Sequence, residues 1–266
     1  INSNYNNNMN TNQDYIIALP SYNRPLIIIN KTLKLLKDYD IPNDKIIIFV
    51  KDQEQMNLYQ DIVCNYNLVL TGASGIMETR NTIQAFFYYE TSYTNVVYID
   101  DDIDSLWDMD TKLKDLDSFI TKAFIDTKQL GYNLFGVSAL HNPFYMSRKT
   151  TTNLKYICGA LFGEIFDRDK YPIFSDVGHF EDHQKSMDHF IRDGGVVKFN
   201  WIGIKTKYFG VGGINDSLGG LENRKIDMYF NGLFLEEKYP GMCKQIEKRW
   251  GYDLRLNYRY KNKIDL

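Results

Sequence analysis

Apolar residues recur in two rhythms along the first half of this chain. Tyr15 to Leu19, Lys45 to Val50, Asn67 to Leu70 and Val96 to Ile99 are short runs rich in β-branched and aromatic residues, the pattern of buried strands. Between them apolar positions fall at helical spacing. Leu26 to Leu36 keeps Lys31, Lys34 and Lys37 outside and has Pro42 beyond its end; Met56 to Val63 reads as a short helix; and RNTIQAFFYYE follows the loop TGASG as a longer one. Strands alternating with helices predict a parallel sheet in an α/β fold, whose ligands lie beyond the carboxyl ends of the strands. The segments PSYNR, KDQE, TGASG and DDDID all fall at such ends.

Further on, Phe119 to Leu130 predicts a helix and Tyr132 to Ala139 a strand. LKYICGALFGEIF suggests strands, EDHQKSMDHFIRDGG a helix stopped by two glycines, and GGVVKFNW a final strand. KTKYFGVGGINDSLGG is glycine-rich and reads as a loop. The opening INSNYNNNMNTNQ has nothing to pack, so residues 1–13 are expected to be disordered and 14–266 to form one domain.

The charged positions sharpen this picture at one place. Asp100, Asp101, Asp102 and Asp104 crowd the exit of a buried strand, where like charges repel and raise one another's pKa unless a cation neutralises them. Carboxylates so placed suit Mg²⁺ or Mn²⁺, hard ions that share carboxylate and phosphate oxygens. A solvated acidic loop is the competing reading. Glu181 and Asp182 open the helix at FEDHQ, where carboxylates favour the N-terminal dipole; beside a metal and a diphosphate, one of them suits a general base. In GASGIMETRN, Gly72 and Gly75 permit close backbone approach, with Arg80 and Asn81 in the following helix within reach of a phosphate or nucleobase. Neither a Walker A motif nor a dinucleotide fingerprint is present. His179 and His183 stand four apart, a spacing compatible with zinc, but no HExxH accompanies them.

Composition narrows the classes. The 266 residues are 44% apolar, 24% charged and 15% aromatic, with net charge −3, an ordinary globular balance without the overall basic footprint of a nucleic-acid-binding protein. Three scattered cysteines support neither a disulfide framework nor a CxxC site, and a reducing compartment is the simpler reading. With no signal-like opening and no apolar run of spanning length, the expectation is a soluble protein without a membrane partner, not secreted, cytoplasmic or nuclear, and in the host cytoplasm if viral.

Taken in order, ALPSYNRP, GIMETRN, VVYIDDDI and FEDHQKSMDHFIRDGG resemble the nucleotide-sugar glycosyltransferases of the GT-A fold. Among them the pattern is most similar to the viral and protist group associated with TET/J-binding-protein oxygenases, which includes phage enzymes that glycosylate hydroxymethylated pyrimidines in DNA. The resemblance spans roughly Tyr15 to Asn215. It implies a GT-A-like (Rossmann-like) α/β fold with a mostly parallel central sheet flanked by helices. It also implies a UDP-sugar donor, UDP-glucose in the favoured case, and Mn²⁺ or Mg²⁺ as cofactor. Carried onto matching positions, it places Pro20, Ser21, Asn23, Arg24 and Asp52 around the uridine, and Arg80 and Asn81 near the diphosphate or sugar. Asp102 becomes the first metal ligand, Asp100 a ribose or metal contact with Asp101 beside it, and Asp182 the base of an inverting enzyme, with Glu181 holding the acceptor or sugar. Many members add a late histidine ligand. Here the last histidine is His189, so by this resemblance the late ligand is either absent or replaced by Asn215 or Asp216.

The tail from Lys244 to Lys263 carries seven cations against Glu247 and Asp253, a net of 7 − 2 = +5, with Trp250, Tyr252, Tyr258 and Tyr260 interleaved. Such a stretch suits DNA phosphates and an exposed base; a C-terminal helix packed by its aromatics suits it equally. The expected reaction is hexose transfer to a hydroxymethylated pyrimidine in DNA. Transfer to a glycan, protein or lipid, a catalytically silent DNA- or sugar-binding module, and nucleotidyl transfer remain open at this stage.

Overall fold

A computed structural model of the chain describes residues 15–206 and 221–261. The expectations placed on residues 1–13 and on Asn215 and Asp216 lie outside the described residues, as does most of the glycine-rich loop.

The first half follows the alternation of the sequence. Strand β1 (Ile16–Pro20) leads into a helical rod, α1, made of Pro25–Ile28, a π turn at Ile29–Leu33 and Lys34–Asp38. Pro25 opens this rod in the first turn, where its missing N–H leaves no bond unmade. Then come β2 (Ile46–Val50), α2 (Gln53–Gln60), β3 (Asn67–Leu70), α3 (Gly75–Ala85, extended by a π turn at Phe86–Glu90) and β4 (Asn95–Ile99). The chain reverses through β5 (Ile103–Asp108) and β6 (Thr111–Lys112), and continues with α4 (Leu116–Gln129), β7 (Leu134–Ser138), β8 (Thr150–Thr151) and β9 (Leu161–Ile165). Helix α5 (Glu181–Asp193), β10 (Val197–Thr206), α6 (Leu221–Lys238), β11 (Cys243–Lys248) and β12 (Gly251–Leu256) complete it.

Strands β1 to β10 form one sheet in the order β3-β2-β1-β4-β9-β7-β10-β5-β6, with β8 on β10. β3, β2, β1, β4, β7 and β10 point one way, and β9 and β5 run against them. The pleat sorts the side chains. Tyr15, Ile17, Leu19, Ile46, Ile48 and Val50 pack beneath α1, α2 and α4, while Ile16, Ala18, Ile47 and Phe49 meet Ile83, Phe86 and Phe87 of α3 on the other face. Burial on both faces explains why these strands read as unbroken apolar runs. A third cluster joins α5 to α6 and the β11–β12 hairpin through Met187, Phe190, Met228, Leu235, Leu254 and Leu256.

Three expectations change. LKYICGALFGEIF yields one strand, β9; residues 154–160 form a loop instead, and that loop enters the site. The strand through GGVVKFNW is not the last, because α6 and a hairpin follow. The tail is no helix: Gly251, at φ +142, follows the turn between two antiparallel strands whose residues alternate between α6 and the open side. Among the described residues no helix is long and apolar enough to cross a membrane.

Candidate functional site

The acidic run is sorted by its backbone. After Ile99 the Asp100 N–H donates to Ala160 O (3.0 Å). Thr32, fully buried in the π turn of α1, donates through Oγ1 to Asp100 O (2.7 Å) and accepts from Ile103 N (2.9 Å), which clamps the bend from β4 into β5. Asp101 points inward, accepting from Ser21 Oγ (2.5 Å) and lying 3.1 Å from Arg24 Nη1. Asp100 and Asp102 point outward, their side chains 34% and 21% exposed. Cations of the chain itself meet much of the repulsion foreseen in the sequence: Arg24 bridges Asp101 and Asp102 (3.1 and 3.2 Å), Arg80 lies 3.1 Å from Asp100, and Lys31 lies 3.1 Å from Asp104. Burial, reinforced by Asp102 and Asp101, still pushes the Asp100 carboxyl up to about 6 against the pull of Arg80.

These outward carboxylates supply two hard oxygen donors. Among the described residues no group of three or more His, Cys, Asp or Glu side chains is arranged to hold a metal ion. A divalent ion held by Asp100 and Asp102 would have to take its remaining ligands from elsewhere, as Mg²⁺ does from substrate phosphates and water. Thr206 on β10 braces Asp102, its Oγ1 lying 2.9 Å from both the backbone oxygen and Oδ1, between which its one hydroxyl hydrogen is shared.

On one side of this acidic bend lies the loop Pro20–Arg24. Ser21 N donates to Phe49 O (3.0 Å), and Ser21 Oγ shares a 2.7 Å hydrogen bond with Tyr59 OH, which also accepts from Arg24 N (2.9 Å). Asn23 adopts a left-handed conformation (φ +55) and exchanges two hydrogen bonds with Gln55, at 2.9 and 2.7 Å. Asp52 caps α2 by accepting from Gln55 N (3.0 Å). The expected nucleotide-side residues thus come together, braced by Gln55 and Tyr59, which sequence reasoning missed. Their spacing of four on one helix was the available signal.

On the other side α5 begins after Phe180, itself left-handed at φ +65. Arg80 reaches from α3 into the buried space between, pairing with Glu181 and Asp100 and donating to Gly159 O (2.8 Å). It links the two carboxylate groups from behind rather than standing open to a phosphate. Asn81 exchanges two amide hydrogen bonds with Ser175 N and O (2.9 and 2.8 Å). A Cβ at Gly159 would lie 2.3 Å from Arg80 Nη1, so any other residue here must displace the guanidinium.

Neighbouring Glu181 and Asp182 are driven apart electrostatically. Burial above all, with the charge of Asp182, raises the Glu181 carboxyl to about 7 despite Arg80, and its Oε2 is buried without a hydrogen-bond partner. Burial would raise Asp182 too, but hydrogen bonds from His183 and Tyr156 and the charge of Arg80 outweigh it and hold that carboxyl well below the usual range. Tyr156 and Gly159, both missed in the sequence, belong to the loop that was expected to be strand. The zinc alternative does not form: His179 precedes the helix and is engaged by Asp227 (2.9 Å) and Arg224 (3.2 Å), while His183 faces Asp182.

Behind this corner a buried ion pair ties α5 to the sheet. Lys185 Nζ donates to Glu164 Oε2 (3.1 Å) and Gln84 Oε1 (2.9 Å), Gln84 Nε2 donates to Glu164 Oε1 (3.0 Å), and His189 lies 3.4 Å from Glu164. Burial opposes ionisation of Glu164, yet Lys185 and His189 bring its carboxyl down to about 2.

No protein-family model and no curated protein matches the sequence. Among solved structures, TarS residues 1–349 from S. aureus align over 84% of this chain at 13% identity and a TM-score of 0.48; the chain spans 65% of that one. A mannosyltransferase from Pyrobaculum calidifontis, in complex with GDP-Man and Mn²⁺, aligns over 70% of this chain and 54% of its own at 17% identity and 0.47. Glucosyl-3-phosphoglycerate synthase from Mycobacterium tuberculosis, in complex with Mg²⁺ and UDP, aligns over 96% of this chain and 92% of its own at 13% identity and 0.50. At that identity the likeness speaks for architecture: this chain has a GT-A-like fold, a mixed, mostly parallel sheet flanked by helices.

Proposed function

We propose that this protein is a metal-dependent glycosyltransferase that moves a hexose, glucose in the favoured case, from a UDP-sugar to the hydroxyl of a hydroxymethylated pyrimidine in DNA, with inversion at the anomeric carbon. The observation that carries the reading is the disposition of carboxylates in a GT-A-like fold. Asp100 and Asp102 face outward at the exit of β4, and Arg80 links Asp100 to the Glu181–Asp182 corner. The fold neighbour at TM-score 0.50 was crystallised with Mg²⁺ and UDP, which supports the same donor chemistry here.

In this reading Pro20, Ser21, Asn23, Arg24 and Asp52 form the uridine side, and Asp100 and Asp102, beside Asp101, hold the divalent ion. That ion, when bound, neutralises the diphosphate leaving group. Arg80 fixes the spacing between donor and acceptor carboxylates, and Asn81 secures the Ser175 segment next to them. The acceptor hydroxyl approaches from the face opposite the diphosphate, and deprotonation depends on Asp182; inversion follows. The DNA acceptor is supported by the family resemblance and by the hairpin. Lys244, Lys248 and Arg255 share one strand face with Asp253, while Cys243, Leu254 and Leu256 are buried with α6 on the other. A base within a duplex would have to be flipped out to reach the site.

The test is release of UDP from UDP-glucose with Mn²⁺, using DNA with hydroxymethylated pyrimidines, unmodified DNA and no acceptor. Release confined to modified DNA, with a hexose mass added to the base, is the expected result. Release indifferent to DNA would keep the transferase and reject the DNA acceptor; no release from any nucleotide sugar with any acceptor would reject the transferase.

A further inference from the structure

We infer that His183 receives the acceptor's proton at Nε2 while Asp182 holds its Nδ1–H, so that an Asp–His pair, rather than Asp182 alone, is the base of the transfer. This inference rests on the glycosyltransferase reading above and deepens it. Asp182 has no open acceptor position. Its Oδ1 faces His183 N (2.9 Å) and His183 Nδ1 (3.0 Å), and its Oδ2 accepts from Tyr156 OH (2.6 Å) and Gly159 N (3.2 Å). A carboxylate offers about four lone-pair sites, and all four are in use.

The contact at Nδ1 determines the tautomer. A ring nitrogen 3.0 Å from an ionised carboxylate oxygen carries the hydrogen, since two lone pairs at that distance repel. Nε2 then keeps its lone pair on the opposite edge of the ring, and among the described residues it makes no hydrogen bond. The ring is held in place by stacking on Tyr156 at 4.2 Å and by the edge of Phe180 at 5.4 Å. It borders a cavity of about 310 Å³ whose other walls include Tyr156 and, from the hairpin and the residues after it, Lys248, Asp253, Arg255 and Tyr258. Glu181 does not compete for the role, because Arg80 holds its Oε1 in the interior.

With the acceptor in this cavity, its oxygen forms the new bond to the anomeric carbon as its proton passes to Nε2. The bond from that carbon to the diphosphate breaks, and the diphosphate leaves with the electron pair. The imidazolium is stabilised by Asp182 and later returns the proton to solvent, so the sum is glycosylated acceptor, UDP and one proton. The titratable and charged groups around the ring and its Asp182 partner include Glu181 and Asp182 on its own helix, His179 just before that helix, Arg80 from α3, Tyr156 and Cys158 from the loop, and Lys248, Asp253, Arg255 and Tyr258 from the hairpin side.

The test compares wild type with His183→Asn and His183→Gln, using UDP-glucose and an oligonucleotide containing a 5-hydroxymethylpyrimidine. Thermal melting checks the fold, and calorimetry checks donor binding. Both variants are expected to bind UDP-glucose within about threefold of wild type, and to transfer glucose at least about a hundredfold more slowly, within the range of general-base catalysis. Folded variants that exceed that residual rate overturn the inference and leave the transferase standing. Nitrogen-15 spectra of the wild-type imidazole separate the two ideas: Nδ1–H with bare Nε2 is expected, and Nε2–H overturns the pair even if transfer occurs. A wild type that transfers to no acceptor overturns the transferase and this step with it.

Discussion

Lys185→Met removes one half of a buried ion pair while keeping side-chain volume. Lys185 and Glu164 are 5% and 2% exposed, so Glu164 would remain in the interior with only the Gln84 amide at 3.0 Å and His189 at 3.4 Å. Breaking such a pair from one side costs about 3–5 kcal/mol. The titration of Glu164 gives a consistent figure: the drop from 4.5 to about 2 amounts to about 3 kcal/mol at ~1.4 kcal/mol per pH unit, and Lys185 is its largest favourable source. Because the folded carboxyl lies below its unfolded value, this stabilisation is complete above about pH 4.5 and lost as pH falls through about 2. Urea unfolding at pH 7 should therefore show a loss of about 3 kcal/mol, and the gap to wild type should narrow on acidification. Glu164→Gln combined with Lys185→Met should be less damaging than the sum of the single changes by about 2 kcal/mol, since no uncompensated charge is left buried. A single-variant loss below about 1 kcal/mol, or simple additivity, would refute the reasoning.

Gly159→Ala places a methyl 2.3 Å from Arg80 Nη1 and 2.9 Å from Nη2, so the guanidinium must leave Glu181 or Asp100; a loss of about 3–5 kcal/mol in thermal or urea unfolding is expected, and wild-type stability would contradict it. Tyr156→Phe deletes the 2.6 Å hydrogen bond to ionised Asp182 and should lower stability by about 1.5–3 kcal/mol in urea titrations, with no change counting against the geometry. Glu181, held up at about 7, binds a proton in the folded state that the unfolded chain releases near 4.5. Its contribution is therefore present below about 4.5 and declines as pH rises to about 7, and Glu181→Gln should flatten stability over that window; an unchanged slope would exclude the assignment.

The left half of the sheet was legible because strands buried on both faces cannot hide their composition. Asn67–Leu70 was bounded to the residue, and β1, β2 and β4 to within one at each end. The acidic run, the Pro20–Arg24 loop and the Glu181–Asp182 helix start also stood out, because carboxylates, prolines and glycines mark strand and helix ends locally. What could not be read was decided at long range. Arg80 resembles a phosphate ligand in sequence and becomes a buried strut only because Glu181, a hundred and one positions away, and Gly159 meet it. Thr32 and Tyr156 carry no local signal, since each acquires its role from a backbone or carboxylate brought in by the fold. Lys185 belongs to the polar set of an amphipathic helix and yet faces the sheet, where Glu164 accounts for it. In the tail, alternation of basic and apolar residues on two short strands was masked by aromatics that suit helix and strand alike.

The most direct test of the central claim is a calorimetric titration of UDP-glucose into the protein, with Mn²⁺ and with the metal chelated, for wild type and Asp102→Ala. Saturable binding that requires the metal and weakens at least tenfold in the variant is predicted; binding of equal strength without metal or without Asp102, or no binding at all, would contradict a nucleotide-sugar site at the exit of β4.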